Sequence, residues 1–339
     1  MTTVLTEQES KIIAYPTWYI TPQPGGDEVV LFKSGNTPPV RMPEEFRWFL
    51  DKAIVAIEVA TSKEGYDLKG FAIDVGTLRA RCQESEGANG TSTFALRIAS
   101  DTAPAFDSIG LPQYIQDALM NPDMQRKGGL ITIFGSQGSG KTSTAYATIV
   151  EYLKRFGGSA YSIEDPVEFD IQGWHGDKGG YFTQSDCTRI GYARAVENSL
   201  RFARSILFIG EIRDSKAAAE MLRISIGGQL VITTMHAKDH QSACQRLVSL
   251  AQDGGEPQAR SLLSNALQLS IRQELSRGVL QASMLEAATH HDVKQAIEKG
   301  DYAAFANAIE RQKVEHTRNG SAAPSVLMLG QKPGFGGGR

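Results

Sequence analysis

The eight residues GSQGSGKT, Gly135 to Thr142, constrain this chain more than any other stretch. They satisfy the pattern G-x-x-x-x-G-K-[ST]. An apolar β-like run, LITIF, leads in. Ala145, Ile149, Leu153 and Phe156 recur at helical spacing behind it until Gly157-Gly158 stops them. A strand, a loop of small residues and a helix in that order let backbone N–H groups curl around an anion. The unpaired amides and the dipole at the helix N-terminus favour phosphate there. The motif predicts a phosphate cradle formed by Gly135, Ser136, Gln137, Gly138, Ser139, Gly140, Lys141, Thr142 and Ser143. Lys141 would reach the β- and γ-phosphates of a nucleotide such as ATP, and the Thr142 hydroxyl would bind Mg²⁺. A glycine-rich turn could match the pattern by chance, but nothing would then require the strand before it and the helix after it.

A second concentration of chemistry is YSIEDPVEFD, residues 161–170, which crowds Glu164, Asp165, Glu168 and Asp170 behind a short β-like run. Carboxylates that close repel one another unless water or a cation compensates them. A solvated acidic loop is the plain reading. The P-loop offers another. SILFIGEIRD, a further apolar run, ends with Glu211 where a P-loop enzyme places an acid that holds Mg²⁺ through water. In a parallel α/β sheet the loops at the carboxyl ends of the strands converge on one crevice. Lys141, Glu164 and Glu211 can therefore meet around one triphosphate. On this reading Glu164 is the general base or water-orienting residue and Glu211 is the Mg²⁺-linked one. Asp165 and Glu168 stand behind them or in solvent.

At 339 residues the chain suits about two domains of ~100–200 residues each. Residues 1–100 read as a small α+β unit. PEEFRWFLDKAIVAIEVAT spaces Phe46, Phe49, Leu50, Ile54 and Ile57 along one helical face, opened by Pro43. Residues 101–112 are turn-rich and read as a linker. Residues 113–318 alternate short apolar strands (LITIF, AYSI, ILFIG, LVITT) with helical segments, which predicts a mainly parallel sheet. The Gly- and Pro-rich residues 319–339 read as a disordered tail or extension. A net charge of −3 gives no bulk attraction for nucleic acid or anionic lipid. Nucleic acid is therefore not expected as a direct ligand. No basic n-region opens the chain, and no apolar run approaches the ~20 residues a membrane helix needs, so membrane insertion is not expected. Cys82, Cys187 and Cys244 are far apart and odd in number, which suits reduced thiols in the cytoplasm.

Within the first unit, GTLRARCQES and STFALRIAS flank EGANG, whose Asn89-Gly90 pair signals a hairpin turn. Leu78, Ala80 and Cys82 alternate with Arg79 and Arg81 on one strand. Phe94, Leu96 and Ile98 alternate with Ala95 and Arg97 on the next. A period of two gathers the arginines on one face. Such a row is ordinary soluble surface unless an anion meets it.

Taken in order, GSQGSGKTST, SIEDPVEF, LFIGEIRD and GGQLVITTMHA resemble the Walker A, Asp box, Walker B and His box of the secretion ATPases. That superfamily powers type II secretion, type IV pili and type IV secretion, including conjugation. The similarity is greatest to its PilT-like and DotB-like branch and covers about residues 70–290. The resemblance implies a PAS-like N-terminal domain, a RecA-like P-loop ATPase domain and a homo-hexameric ring with nucleotide between the domains. It implies Lys141 and Thr142 as phosphate and Mg²⁺ binders, Glu164 as the catalytic glutamate, and Glu211 as the Walker B acid. His236 matches the second His-box histidine, a γ-phosphate or interface sensor. Arg79 and Arg81 match the R-x-R pair from which arginine fingers are drawn, with Arg97 near another arginine of the pattern. The implied partners are inner-membrane platform or secretion-channel base proteins and a second ATPase, met at the cytoplasmic face of the inner membrane.

The chain also departs from the family. Gln229 replaces the first His-box histidine, so a two-histidine relay is in question. The retraction signature A-I-R-N-L-I-R-E is not recognisable, and HHDVKQAIEKGDY stands in its neighbourhood. The Cys-rich zinc insert of assembly ATPases is absent. These departures favour a secretion or conjugation motor over a pilus-retraction motor. A RecA-like nucleic-acid motor and a subunit that binds ATP without turning it over share the P-loop and stay as alternatives. Some residues invite over-reading. His236 and His240 would lie one turn apart in a helix, a spacing that can bind Zn²⁺, but no H-E-x-x-H pattern accompanies them. His290, His291 and His316 read as surface. Trp174 and His175 read as a loop pair, and AAFANAIERQKVEH as an amphipathic helix packed on its own domain.

Overall fold

The two kinds of apolar periodicity in the sequence build two separate sheets in the computed structural model, which describes residues 12, 17–22, 28–33, 38–62, 70–76, 78–87, 90–98, 103–202, 204–276 and 279–320. The first sheet contains β1 (Thr17–Pro22), β2 (Glu28–Lys33), β3 (Val40–Arg41), β4 (Phe71–Val75), β5 (Leu78–Glu86) and β6 (Ser92–Ile98). Its order is β3-β2-β1-β6-β5-β4, and every pairing is antiparallel. A 3-10 turn at Glu44–Phe46 follows Pro43 and leads into α1, Arg47–Thr61. The helix buries Phe49, Leu50, Ala53 and Ile57, the face expected from their spacing, in a core shared with Trp18, Ile73, Ala80 and Leu96.

The predicted hairpin forms from β5 and β6. Leu78, Ala80 and Cys82 are buried, as are Leu96 and Ile98, and the arginines fall on the opposite face. Cross-strand register sets Arg81 directly opposite Arg97. Asn89 of the expected turn lies outside the described residues, as does the tail from 321 onward.

The second sheet contains β7 (Gly129–Phe134), β8 (Gly158–Glu164), β9 (Gly173–His175), β10 (Gly180–Asp186), β11 (Ile206–Glu211), β12 (Leu230–Met235), β13 (Leu267–Ser276) and β14 (Val279–Glu286). Around them lie α2 (Gln113–Leu119), α3 (Pro122–Lys127), α4 (Lys141–Phe156), α5 (Tyr192–Ser199), α6 (Ser215–Ile226), α7 (His240–Asp253), α8 (Ala259–Ala266), α9 (His291–Lys299) and α10 (Phe305–Gly320). Strand order is β14-β13-β7-β12-β11-β8-β10-β9. The six inner strands run parallel, and β14 and β9 close the two edges antiparallel.

Successive residues of each inner strand feed opposite helical layers, which is why these strands read as unbroken apolar runs. Ile131, Ile133, Phe208 and Ile232 join Tyr146, Ile149 and Leu153 of α4 and Ile115 and Leu119 of α2. Leu130, Phe134, Ile209 and Val231 join Met221 and Leu222 of α6, Leu247 of α7 and Ile297 of α9. All four strands expected from LITIF, AYSI, ILFIG and LVITT are present. The parallel sheet between helical layers is the RecA-like α/β arrangement.

Three expectations change in the structure. The stretch read as a linker buries Phe106 and Leu111 among the α4 and α2 side chains, because those two apolar residues find the same core. Trp174 and His175 belong to a short edge strand, β9, with Trp174 packed edge-on against Tyr181. His316 and His290, read as surface, anchor α10. His316 Nε2 meets the Glu286 carboxylate at 2.8 Å and His290 Nε2 lies 3.3 Å from Glu315, while the Gln312 amide exchanges two 2.8 Å hydrogen bonds with the Glu286 backbone.

The hydrogen bond to Glu286 raises the His316 pKa against the opposing effect of burial. Burial alone would raise Glu286, but the bonds from His316 and Thr289 hold it below the usual carboxylate range. Because the folded His316 pKa lies above its unfolded value, its contribution is full below the ordinary histidine pKa and disappears as pH rises through the folded one. His316→Leu should therefore lower stability by about 1–2 kcal/mol at pH 6 and by clearly less at pH 9. Thermal unfolding of both proteins at the two pH values measures this.

Candidate active site

Parallel register delivers the chemistry to one edge. Phe134 pairs with Met235, so the next residues, Gly135 and His236, leave adjacent strands side by side. Glu211 pairs with Thr234. Ile209 pairs with Ile163, which sets Glu164 beside Gly210. Four of the predicted residues, from segments far apart in sequence, thus share the carboxyl edge of β7, β12, β11 and β8.

The phosphate cradle follows β7. Gly140 caps α4 with φ 81°, a conformation that side chains other than glycine rarely take. Gly135 is required for a different reason: a Cβ there would lie 2.0 Å from the Gln273 carbonyl oxygen of β13. The Gln273 amide reaches the cradle as well and donates to the Ser139 carbonyl at 2.6 Å. Ser136, Gln137 and Gly138 are exposed, while Thr142 and Ser143 are half-buried in the first turn of α4. Lys141 is buried and its Nζ donates to the Ser136 carbonyl at 2.7 Å. Burial pulls the Lys141 pKa down, and the charges of Glu211 and Glu168 partly restore it.

Glu211 is aimed by a bulge. Gly210 is the extra residue between the pairings of Ile209 and Glu211, and bulges of this kind re-aim side chains beside active sites. The Glu211 carboxylate accepts from Arg213 and lies 3.4 Å from His236 Nε2. Burial would raise its pKa, but the Arg213 bond and the charges of Arg213, His236 and Lys141 bring it below the usual value. Glu211 is thereby kept ionised. His236 Nδ1 lies 3.3 Å from the Gly135 carbonyl, so one imidazole touches both the P-loop and the Glu211 carboxylate.

Glu164 differs. Its side chain turns inward and is only 2% exposed. It accepts hydrogen bonds from the hydroxyls of Tyr146 and Ser162 and from the Gln184 amide. Burial raises its pKa to about 7 despite these bonds. The site therefore holds two carboxylates whose surroundings push their pKa values apart, a pattern found where one group must exchange a proton and the other must keep its charge.

Arg79 and Arg81 lie on the other sheet and make no hydrogen bond or ion pair to this site among the described residues. Gln229 precedes β12 at the amino edge of the sheet, so it lies at the far end of that strand from His236. His240 begins α7 whereas His236 lies before it, so the two are not on one helix. The His240 ring sits between the Ser270 and Ser283 hydroxyls at 3.1 Å each, and burial lowers its pKa to about 3. Beside Gly135 and His236 a cleft of about 440 Å³ opens toward Lys238, Arg272 and Glu274. Arg272 Nε donates to the Lys238 carbonyl at 2.8 Å and so braces the loop that carries His236.

Sequence reasoning passed over Gln273, Arg272, Tyr146, Ser162 and Gln184. Arg213 had a signal, two residues after Glu211. A buried tyrosine needs a partner for its hydroxyl, so Tyr146 within an apolar helical face was a second. The others carry no local mark.

Residues 79–319 match the family model described as type II/IV secretion system protein. The chain is 34% identical over 213 residues to the protein transport protein HofB homolog of Escherichia coli K12, across 62% of this chain and 42% of that protein. It is 31% identical over 154 residues to the type IV pilus assembly ATPase PilB of Myxococcus xanthus, across 45% of this chain and 25% of that protein. The chain thus spans less than half the length of these relatives. Among solved structures the fold matches the pilus retraction motor PilT bound to ADP, at TM-score 0.68 and 23% identity over 96% of this chain and 95% of that one. It also matches the ATPase DotB of Legionella pneumophila, at TM-score 0.65 and 17% identity over 92% and 90%.

Gly135→Ala tests the cradle directly. The added methyl must displace the β13 backbone, a strain of about 1–3 kcal/mol. The expected outcome is a melting temperature lower by several degrees together with loss of fluorescent ATP-analogue binding, read by calorimetry and anisotropy.

Proposed function

The chain belongs to the type II/IV secretion system protein family, and on that premise we propose that it is a Mg²⁺-dependent ATPase motor that drives a membrane-spanning secretion or conjugation machine from its cytoplasmic side. The observation that carries this reading is the convergence of Lys141, Glu211 and His236 at the end of the P-loop strand, where three segments far apart in sequence supply the parts that phosphoryl transfer needs. The P-loop amides and Lys141 hold the β- and γ-phosphates. The Thr142 hydroxyl and the ionised Glu211 are hard oxygen donors that suit Mg²⁺. Bound there, the ion would neutralise charge shared between the β- and γ-oxygens.

In the proposed reaction, a water oxygen attacks the γ-phosphorus in line as the bond to the ADP oxygen breaks. The water's proton passes to the Glu164 carboxylate, which stands beside Gly210 at the same edge. Glu211 stays charged because Arg213 and His236 stabilise its anion, and His236 is placed to sense the γ-phosphate through the Gly135 and Glu211 contacts.

The arginine face supports assembly into a ring, which we take to be a homo-hexamer. Arg81 stands directly opposite Arg97, and like charges so placed disfavour the pair. Among the described residues no carboxylate pairs with either. A phosphate delivered at a boundary between protomers would relieve that repulsion, and a guanidinium reaching the γ-phosphate would speed hydrolysis. Arg79, Arg81 and Arg97 are the candidates for this role. Platform or channel-base proteins at the inner membrane are the proposed receivers of the motion. Among the described residues no helix is long and apolar enough to cross a membrane.

Phosphate release by the full chain decides the reading. Lys141→Ala and Glu211→Ala should each reduce turnover at least ~100-fold. Glu164→Gln should lose a similar factor yet keep ATP bound, and normal hydrolysis by that variant would remove Glu164 from catalysis. The base acts in its charged form and its pKa lies near 7, so wild-type kcat should hold above about pH 7 and fall roughly tenfold per unit below it. The measurement is a pH–rate profile with saturating MgATP.

A further inference from the structure

The acceptor positions of the Glu164 carboxyl face donors of its own chain rather than a water. Oε1 accepts from the Ser162 hydroxyl at 2.6 Å and the Gln184 amide at 3.3 Å. Oε2 accepts from the Tyr146 hydroxyl and, at 3.5 Å, from the Glu168 N–H. A carboxylate offers about four acceptor positions, and four donors from its own chain face them. Catalysis by this side chain therefore requires at least one of those donors to let go.

The donors are not equally fixed. Tyr146 and Ser162 sit in the interior of α4 and β8, and the Tyr146 ring is packed by Phe169, Phe182 and Phe208. The Gln184 and Glu168 contacts are the long ones; Glu168 belongs to the acidic loop, residues 165–172, and Gln184 of β10 is bonded to that loop. Of the two N–H groups of the Gln184 amide, one donates to the Phe169 carbonyl at 2.7 Å and the other is shared between the Tyr146 hydroxyl at 3.1 Å and Glu164 Oε1 at 3.3 Å, while its Oε1 accepts from the Ile171 N–H at 2.8 Å. One side chain thus joins the loop to the buried acid. Lys141 feels the charge of Glu168, whose N–H also faces the Glu164 carboxyl at 3.5 Å.

We propose that Tyr146 and Gln184 are positioning residues that hold Glu164 stowed behind the P-loop helix, and that movement of the 165–172 loop releases the carboxyl toward the phosphates. Glu164 near its pKa is partly neutral at ordinary pH, which lessens the penalty for keeping it inside. The inference rests on the ATPase reading above and adds to it a resting state in which the base is withheld.

The test is steady-state turnover of the full chain with MgATP. Tyr146→Phe removes one oxygen and keeps the ring, and Gln184→Met keeps the length and removes the amide. Each should raise kcat about fivefold, the factor for one lost hydrogen bond of about 1 kcal/mol. KM should stay unchanged, because both side chains bond to Glu164 and its neighbours rather than to the phosphate cradle. Tyr152→Phe is the control. It removes another buried hydroxyl of α4, bonded at 3.1 Å to the Asn121 carbonyl, and should leave kcat where it is. If Tyr146→Phe fails to fold, Gln184→Met decides alone. A merely structural role would give slower turnover in either variant, and unchanged or slower turnover overturns the stowed-base proposal while wild type remains active. Absence of Lys141-dependent turnover in wild type overturns the ATPase reading and this inference with it.

Discussion

The alignment of parallel strand ends is the constraint on which everything else in the second sheet depends. Had β12 slipped by one residue against β7, His236 would leave the Gly135 carbonyl and every apolar side chain of that strand would change layers. Burial on both faces prevents the slip, since Leu130 and Ile131, or Ile232 and Val231, cannot exchange helical layers without exposing one of them or overfilling the other. The same apolar packing that stabilises the sheet thus sets the distances between Gly135, Glu211 and His236. At Gly210 the register of β11 against β12 breaks, and there the extra residue turns Glu211 toward His236 and Arg213.

Electrostatics then separates two carboxylates at one sheet edge. Desolvation acts on both. For Glu211 a guanidinium, an imidazole and a nearby ammonium outweigh it, so the anion persists. For Glu164 the partners are neutral donors, which offset burial only in part. The difference is one of partner charge rather than depth alone, and it assigns a standing charge to one acid and an exchangeable proton to the other.

The first sheet obeys a simpler rule. Its alternation puts one set of residues under α1 and leaves a second set facing away, and the pairing of Arg81 with Arg97 concentrates positive charge on that second face. Fold similarity to PilT and DotB agrees with a chain organised around two sheets.

Much of this was legible from local pattern. The glycines of the P-loop, the strand before it, the helix after it and the two-residue alternation of the β5–β6 hairpin are consequences of short-range sterics and periodicity, and they survived folding as expected. Arg272, Gln273, Tyr146 and Gln184 were not legible. Their importance comes from partners across the sheet: Gln273 reaches a carbonyl in a loop 134 residues away, and nothing in LQLSIRQELS marks that meeting. The burial of Phe106 and Leu111 in the stretch read as a linker was hidden for the same reason, since the two look sparse until α4 supplies their contacts. By itself, then, the sequence determined which segments form strands, helices and a phosphate loop, because those depend on neighbours a few residues apart. Only the tertiary structure decided that Glu211 faces the cradle charged while Glu164 turns inward, because burial and hydrogen-bond partners are properties of the packed sheet.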